Sequence, residues 1–475
     1  MKKFAIIGLL ASLLAAQLQP VPARAAEHAE TRGDACNTAE SKRQPAPYFN
    51  IDEDGVLLRY YGMEEVVTVP DGVKKIGKGA FHFNNYVQKV LLPDTVTEID
   101  ISAFRDCDNL TAVEGGSLVR IQENAFSSSL IREIDLSKVK IIEWGAFWGC
   151  EMLDEANLEA VEVLGDYAFY GCENLRTVTG LARLREIGSS VFNDTPLRRK
   201  YSGDEAKDAL WITNGILLMG HHSAGRVVIP DYVTRIAPDA FCSSDSDDPY
   251  INRLETVIIP DSVTEIGDNA FAYCRNLTTV RMEDSVTKIG ADVFKNCQKL
   301  TDIRLSNALT DIDPVFSYCE ALEHLTLPAA LEKLGKDAFS YCANLKTLTI
   351  PPQLKDFGDD ANGADYDPQF SVQTIYVTDI AEAGKLENIM KKCGAKVAEL
   401  KLTEENIVLG VGSGFALRFN SGAKAEKWRS SNKNVVLVDR IGNLRAMSAG
   451  TATITAAIYG REYKCVVKVI RKSGR

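Results

Sequence analysis

Positive charge is in short supply. The chain has 54 Lys and Arg against 65 Asp and Glu, giving a formal net charge of -11. That field disfavours nucleic acid and anionic membrane as partners. Histidine is scarcer still, with five in 475 residues. No Ser or Asp stands in a recognisable nucleophile phrase, so no catalytic triad is assembled and no enzyme is expected. The acidic runs at residues 245–248 and 359–367 lack EF-hand spacing and read as solvated loops rather than calcium sites. His221 and His222 are adjacent in a turn, where neighbouring side chains diverge, and read as solvated rather than metal-binding. No cofactor is implied. Long apolar runs are missing after residue 25, so no transmembrane segment is expected.

What is present begins with an export signal. Lys2 and Lys3 precede an apolar run over residues 4–16, then Pro20, Pro22 and the small-x-small site Ala23-Arg24-Ala25. Residues 1–25 are therefore expected to be a signal peptide, and the mature chain to be exported to the cell surface, periplasm or medium. No sorting motif follows Val469. Residues 26–47 are polar and aperiodic, which predicts a flexible lead-in.

From there to residue 378 one phrase keeps returning. Its clearest copy is VIIPDSVTEIGDNAFAYCRNL at residues 257–277. The motif phenylalanines are Phe81, Phe104, Phe126, Phe147, Phe169, Phe192, Phe241, Phe271, Phe294, Phe316 and Phe339, mostly 21 to 23 residues apart. That period predicts a parallel-stranded leucine-rich-repeat solenoid over residues 48–378. Gly55 and Gly215, Pro70 and Pro230, and Phe81 and Phe241 are each 160 residues apart, so the array restarts in register as two blocks, about 48–200 and 206–378.

Each coil assigns roles to its residues. Apolar side chains in residues 96–99 and 263–266 point inward, and Gly267, Gly290 and Gly335 are expected to make tight bends. One Phe per coil forms a stacked core column. Strand segments follow, such as Leu277-Val280-Met282 and Leu300-Ile303-Leu305, with the named residues buried. Seven of the eleven cysteines, Cys107, Cys150, Cys172, Cys274, Cys297, Cys319 and Cys342, lie three residues after the Phe, where other coils have Asn84 and Ser129. Interchange of Cys, Asn and Ser suits a buried ladder whose side chains hydrogen-bond backbone, and strand spacing is longer than a disulfide allows. A disulfide or metal array is the alternative. Cys36, Cys242, Cys393 and Cys465 are unassigned.

These phrases, together with LPDTVTEIDISAFRDCDNL at residues 92–110, resemble the BspA-like leucine-rich-repeat family of bacterial surface proteins, also called the Treponema pallidum type. The coil at Phe192 departs from the pattern, with Thr195 in the ladder place. The resemblance implies adhesion or protein-protein binding, with host extracellular matrix proteins among the partners of some members. A glycan-binding accessory protein of the envelope is the alternative. A parallel β-helix enzyme would show paired carboxylates in the repeat, and none is found.

Residues 373–377 read as the last, edge strand, and residues 379–401 as a helical cap and linker with Leu386, Ile389, Met390 and Cys393 on one face. Residues 402–471 alternate as six or seven short strands, an all-β sandwich. Within it residues 428–456 resemble the group 2 bacterial immunoglobulin-like domain, with Trp428 expected in the core. The candidate binding face is the outward row of the strands: Thr279, Arg281, Asp302, Arg304, His324, Thr326, Thr347 and Thr349.

Overall fold

A computed structural model describes residues 48–202, 210–220, 225–242, 253–335, 338–357, 372–381 and 395–471 of the protein. The described residues between 48 and 399 wind as a solenoid whose parallel strands lie on two faces, each divided along the array into successive sheets. One is narrow, built of two-residue strands such as Glu98–Ile99 and Glu265–Ile266; the other is wider, with strands such as Lys89–Leu92 and Thr279–Met282. The narrow sheet is not evident from the residue pattern, because its inward residues, Ile99 and Ile266, were legible only as core. In the wide strands the predicted alternation holds: Val280 and Met282 are buried while Thr279 and Arg281 are partly exposed. Ile303 is only partly buried.

The phenylalanine column is the core. Neighbouring rings from Phe81 to Phe192 and from Phe241 to Phe339 stack with centroids 4.8 to 6.1 Å apart. Phe192 and Phe241 join the column as well. A backbone rule explains the fixed phrase around each Phe. In most coils the residues two before and two after it take a left-handed conformation, as at Ser102 and Asp106, Asn124 and Ser128, Asn269 and Tyr273. Small or turn-forming residues relieve that strain at most of these places. Gly267 and Gly290 serve differently from the expected bend. Their φ is not left-handed; a Cβ would lie 2.5 Å from the Pro238 nitrogen and 2.2 Å from the Asp268 carboxylate, so close approach of coils requires them.

The cysteine ladder forms as a set of free, buried thiols. Each Sγ–H donates to the carbonyl of the Phe in the preceding coil: Cys107 to Phe81 at 3.1 Å, Cys150 to Phe126 at 3.1 Å, Cys172 to Phe147 at 3.2 Å and Cys274 to Phe241 at 3.4 Å. Cys297, Cys319 and Cys342 repeat the bond to Phe271, Phe294 and Phe316 at 3.3, 3.2 and 2.9 Å. Asn84 substitutes by donating to the Gly62 carbonyl and accepting the Tyr86 and Val87 amides.

The departure at Phe192 ends the first block. Thr195 caps helix α1 (Pro196–Ser202), its Oγ1 accepting the Arg198 amide at 3.1 Å, and Pro196 opens the helix; both are favoured first-turn residues. The second block begins with an antiparallel hairpin, Leu210–Thr213 with Ile216–Gly220. Its Asn214-Gly215 turn has two positive φ values, as a two-residue hairpin demands. Trp211 extends the first block's aromatic column, 5.4 Å from Phe192. Asp239 also joins the blocks, accepting the Ser190 amide at 2.6 Å and hydroxyl at 3.1 Å.

Burial pushes the Asp239 carboxyl above the ordinary carboxylate range, against the pull of Ser190 and Arg198. The folded chain therefore keeps this proton where the unfolded chain has lost it. The group's contribution to stability is present below the ordinary aspartate pKa and falls as pH rises through the folded value. Asp239→Asn is expected to shift the stability balance in the variant's favour as pH climbs from about 4. Guanidinium midpoints across that range check it; a parallel response of the two proteins would refute it.

The coil of Phe316 is irregular. It has one residue fewer between Ile312 and Phe316 than the coils beside it, and Pro314 stands where others are left-handed, a conformation proline cannot take. Both sheets lapse between this coil and the one before it: the wide sheet ends at Asp302–Arg304 and resumes at His324–Thr326, and the narrow one ends at Lys288–Ile289 and resumes at Asp311–Ile312.

One expectation is corrected at the end of the array. Thr374–Val377 is not the edge, because Lys396–Glu399 pairs beside it in parallel; the predicted linker thus supplies one more strand, whose backbone partners only the register reveals. The apolar face predicted for residues 386–393 lies outside the described residues, as do His221, His222, both acidic runs, Cys36 and Cys393. Beyond it, seven strands between Asn406 and Ile470 form two sheets of four and three strands. Leu417, Ile454, Ala456 and Val467 fill the sandwich. Trp428 is half-buried at the core margin, over Gly442 and 6.5 Å from Phe419. Cys465 is a buried free thiol.

Candidate functional site

The outward residues of the wide sheet do form rows in register. Thr279 pairs with Asp302 and Arg281 with Arg304, and His324 pairs with Thr347 and Thr326 with Thr349. The two pairs of strands belong to different sheets, divided at the Phe316 coil. The charges are largely satisfied within the face. Arg281 bonds the Asp302 carboxylate, and Arg304 bonds Glu283 and Asp284 at 3.1 and 3.2 Å.

The second half of the predicted face is not free, which is the main correction to the sequence reading. The sandwich sits on it. Thr347 Oγ1 donates to the Ser421 carbonyl at 2.9 Å, Lys424 contacts the Asp302 carboxylate, and Gly422 lies against His324. The Tyr459 hydroxyl reaches the Leu327 and Thr349 carbonyls at 2.8 and 2.9 Å. Thr349 is only 1% exposed. Thr349 was expected outside because strand alternation places it there; nothing in a strand's own sequence marks which face another domain will cover.

Under the sandwich lies a cavity of about 250 Å³, lined among others by Asp302, Arg304, His324, Thr326, Lys424 and Tyr459. Burial, then Arg281, push the Lys424 ammonium down to about 8.

Two surfaces of the first block bear on binding. The wide strands of the first block present Glu114 and Glu133 on one sheet, and Glu155 and Thr177 on the next, to solvent. On the turns of the same block four rings cluster: Trp144, Trp148, Tyr167 and Tyr170, with centroids 5.3 to 5.8 Å apart. The Trp and Tyr places vary from coil to coil, so the period hides this cluster from sequence reading. Among the described residues no group of three or more His, Cys, Asp or Glu could hold a metal ion, and no helix is long and apolar enough to cross a membrane.

The family described as BspA type leucine rich repeat region matches residues 74–198 and 250–364 in six copies. The bacterial Ig-like domain (group 2) matches residues 417–459. Among solved structures the chain is similar to a leucine rich cell surface protein from Faecalibacterium prausnitzii, at 26% identity over 71% of this chain and 94% of that one, with a TM-score of 0.43. It is also similar to the T. pallidum leucine rich repeat protein, at 22% identity over 55% and 91% with a TM-score of 0.26. The pneumococcal vaccine antigen PcpA aligns at 17% identity over 72% and 91%, with a TM-score of 0.38. No curated protein matches significantly.

Proposed function

Since the chain belongs to the BspA-type leucine-rich-repeat family and carries a group 2 bacterial Ig-like domain, we propose that it is an exported surface protein that binds other proteins, acting in adhesion with a host matrix protein as ligand. The observation that carries this reading is the outward face of the wide strands: polar side chains held on short parallel ladders, exposed at Glu114, Glu133, Glu155 and Thr177 in the first block and partly exposed at Thr279 and Arg281 in the second. Preorganised side chains lose little entropy on binding. The sandwich occupies the distal rows and acts as a spacer and brace.

A glycan ligand is the second reading, favoured by the Trp144, Trp148, Tyr167 and Tyr170 cluster, since aromatic faces with polar rims suit the apolar faces of sugar rings. The test is binding of the mature protein to arrays of host matrix proteins and glycans. A Glu133→Ala/Glu155→Ala variant and an Arg281→Ala/Arg304→Ala variant are expected to weaken matrix-protein binding about tenfold or more. Trp144→Ala/Trp148→Ala should leave it intact. Glycan binding lost only in the tryptophan variant would replace the first reading by the second, and silence of the wild-type protein on matrix proteins would overturn adhesion.

A further inference from the structure

A solenoid must protect both ends of both sheets, because an unpaired edge strand is a template for another chain. Here the narrow sheet is closed at its start by the antiparallel hairpin of Phe49–Ile51 and Val56–Tyr60. At the far end the wide sheet runs through Lys396–Glu399 to the sandwich. The start of the wide sheet has no such cover among the described residues. Its first strand, Val66–Thr68, pairs only with Lys89–Leu92.

The ladder shows which backbone groups are left over. The Lys89 amide donates to the Glu65 carbonyl and the Val69 amide to the Leu91 carbonyl. In a parallel pair this register turns Val67 toward the next coil and leaves the amides and carbonyls of Val66 and Thr68 pointing outward. Around them lies an apolar patch. Tyr61, Met63, Val66, Phe83 and Tyr86 are each more than half exposed. The Asn84 side chain, donating to the Gly62 carbonyl at 3.2 Å, ties the two segments of the patch together. Contiguous exposure of this kind marks interaction surfaces in soluble proteins.

We propose that this edge is a strand-addition site for an extended polypeptide segment that alternates apolar and basic residues. The outward amides and carbonyls call for an extended backbone, and the alternate side chains would meet the patch. The charge preference comes from Glu64, Glu65 and Asp71, exposed on either side of the strand. Nearby Lys89 is already paired with Glu114, and Arg59 bonds the Gly79 carbonyl. A second copy of this chain fits poorly: antiparallel pairing about Val67 would set Glu64 and Glu65 of one copy near Asp71 of the other, and like charges across a pair are destabilising. The site is separate from the outward face of the wide sheet, so loss of either leaves the other intact.

The experiment is calorimetric titration of the mature protein with a synthetic peptide of six Val-Lys repeats, against a Val-Glu peptide as control. The Val-Glu peptide is expected to bind at least about tenfold more weakly. Val66→Pro removes one outward amide without touching a bond inside the ladder, and it too should weaken the Val-Lys peptide about tenfold. Because Val66→Pro could disturb the first coil, Phe83→Ser/Tyr86→Ser, on exposed side chains alone, should show a loss in the same direction. No saturable binding of the Val-Lys peptide, or unchanged binding to both variants, would overturn the proposal. So would dimerisation in sedimentation that Val66→Pro abolishes, since it would give the edge to a second copy.

Discussion

Phe147→Ala is expected to destabilise the solenoid by about 3–5 kcal/mol, the range for emptying a buried aromatic site. Phe147 is fully buried, and the rings of Phe126 and Phe169 both stack on it at 5.2 Å, tilted by only 5° and 1°. Neither neighbour can collapse into the space, because each is held in its own coil by left-handed turns two residues to either side. The void therefore persists, and with it the cost. In a linear array a coil is stabilised mainly by its neighbours, so the loss should spread along the first block while the sandwich keeps its own core. Guanidinium unfolding gives the magnitude, and amide exchange gives its location. A change below about 1 kcal/mol would show that the column is not the main support. Exchange rising equally in the sandwich would show that the two parts unfold as one.

The seven ladder thiols are expected to resist alkylation in the native protein and to react fully once it is unfolded. Burial pushes Cys107 and Cys150 up to about 12. At pH 8 that lowers the thiolate fraction on the order of 10³-fold relative to an ordinary cysteine, before any steric protection is counted. Each thiol also donates its proton to a Phe carbonyl, a bond the thiolate cannot make. Differential labelling with two isotopic forms of iodoacetamide, read peptide by peptide, tests it. Native labelling of Cys150 at the rate of a small free thiol would mean that the coils open readily or that the ladder is not sealed. The result bears on the proposed export, since a thiol that does not ionise is a poor partner for disulfide exchange.

The residues announced a good deal of this. The spacing of the phenylalanines gave the coil, because a stacked column needs one large ring at one place in every turn. The Cys, Asn and Ser exchange gave the ladder, since only a small donor fits beside the preceding coil's carbonyl. The shift to period-two alternation after residue 402 gave the sandwich. Residues that act within one repeat, or between one repeat and the next, leave a periodic trace, and the sequence alone determines them.

What it could not determine lies between elements far apart in the chain. Tyr459 meets Leu327 and Thr349 across more than a hundred residues. That contact closes the distal rows of the face that strand alternation left open. The continuation of the wide sheet through Lys396–Glu399, the lapse beside Pro314 and the bare edge at Val66 likewise depend on which backbone lies alongside which. A side-chain pattern states what a strand would bury, but the backbone groups of every strand are alike. Only the tertiary structure decides which of them find partners and which are left facing out.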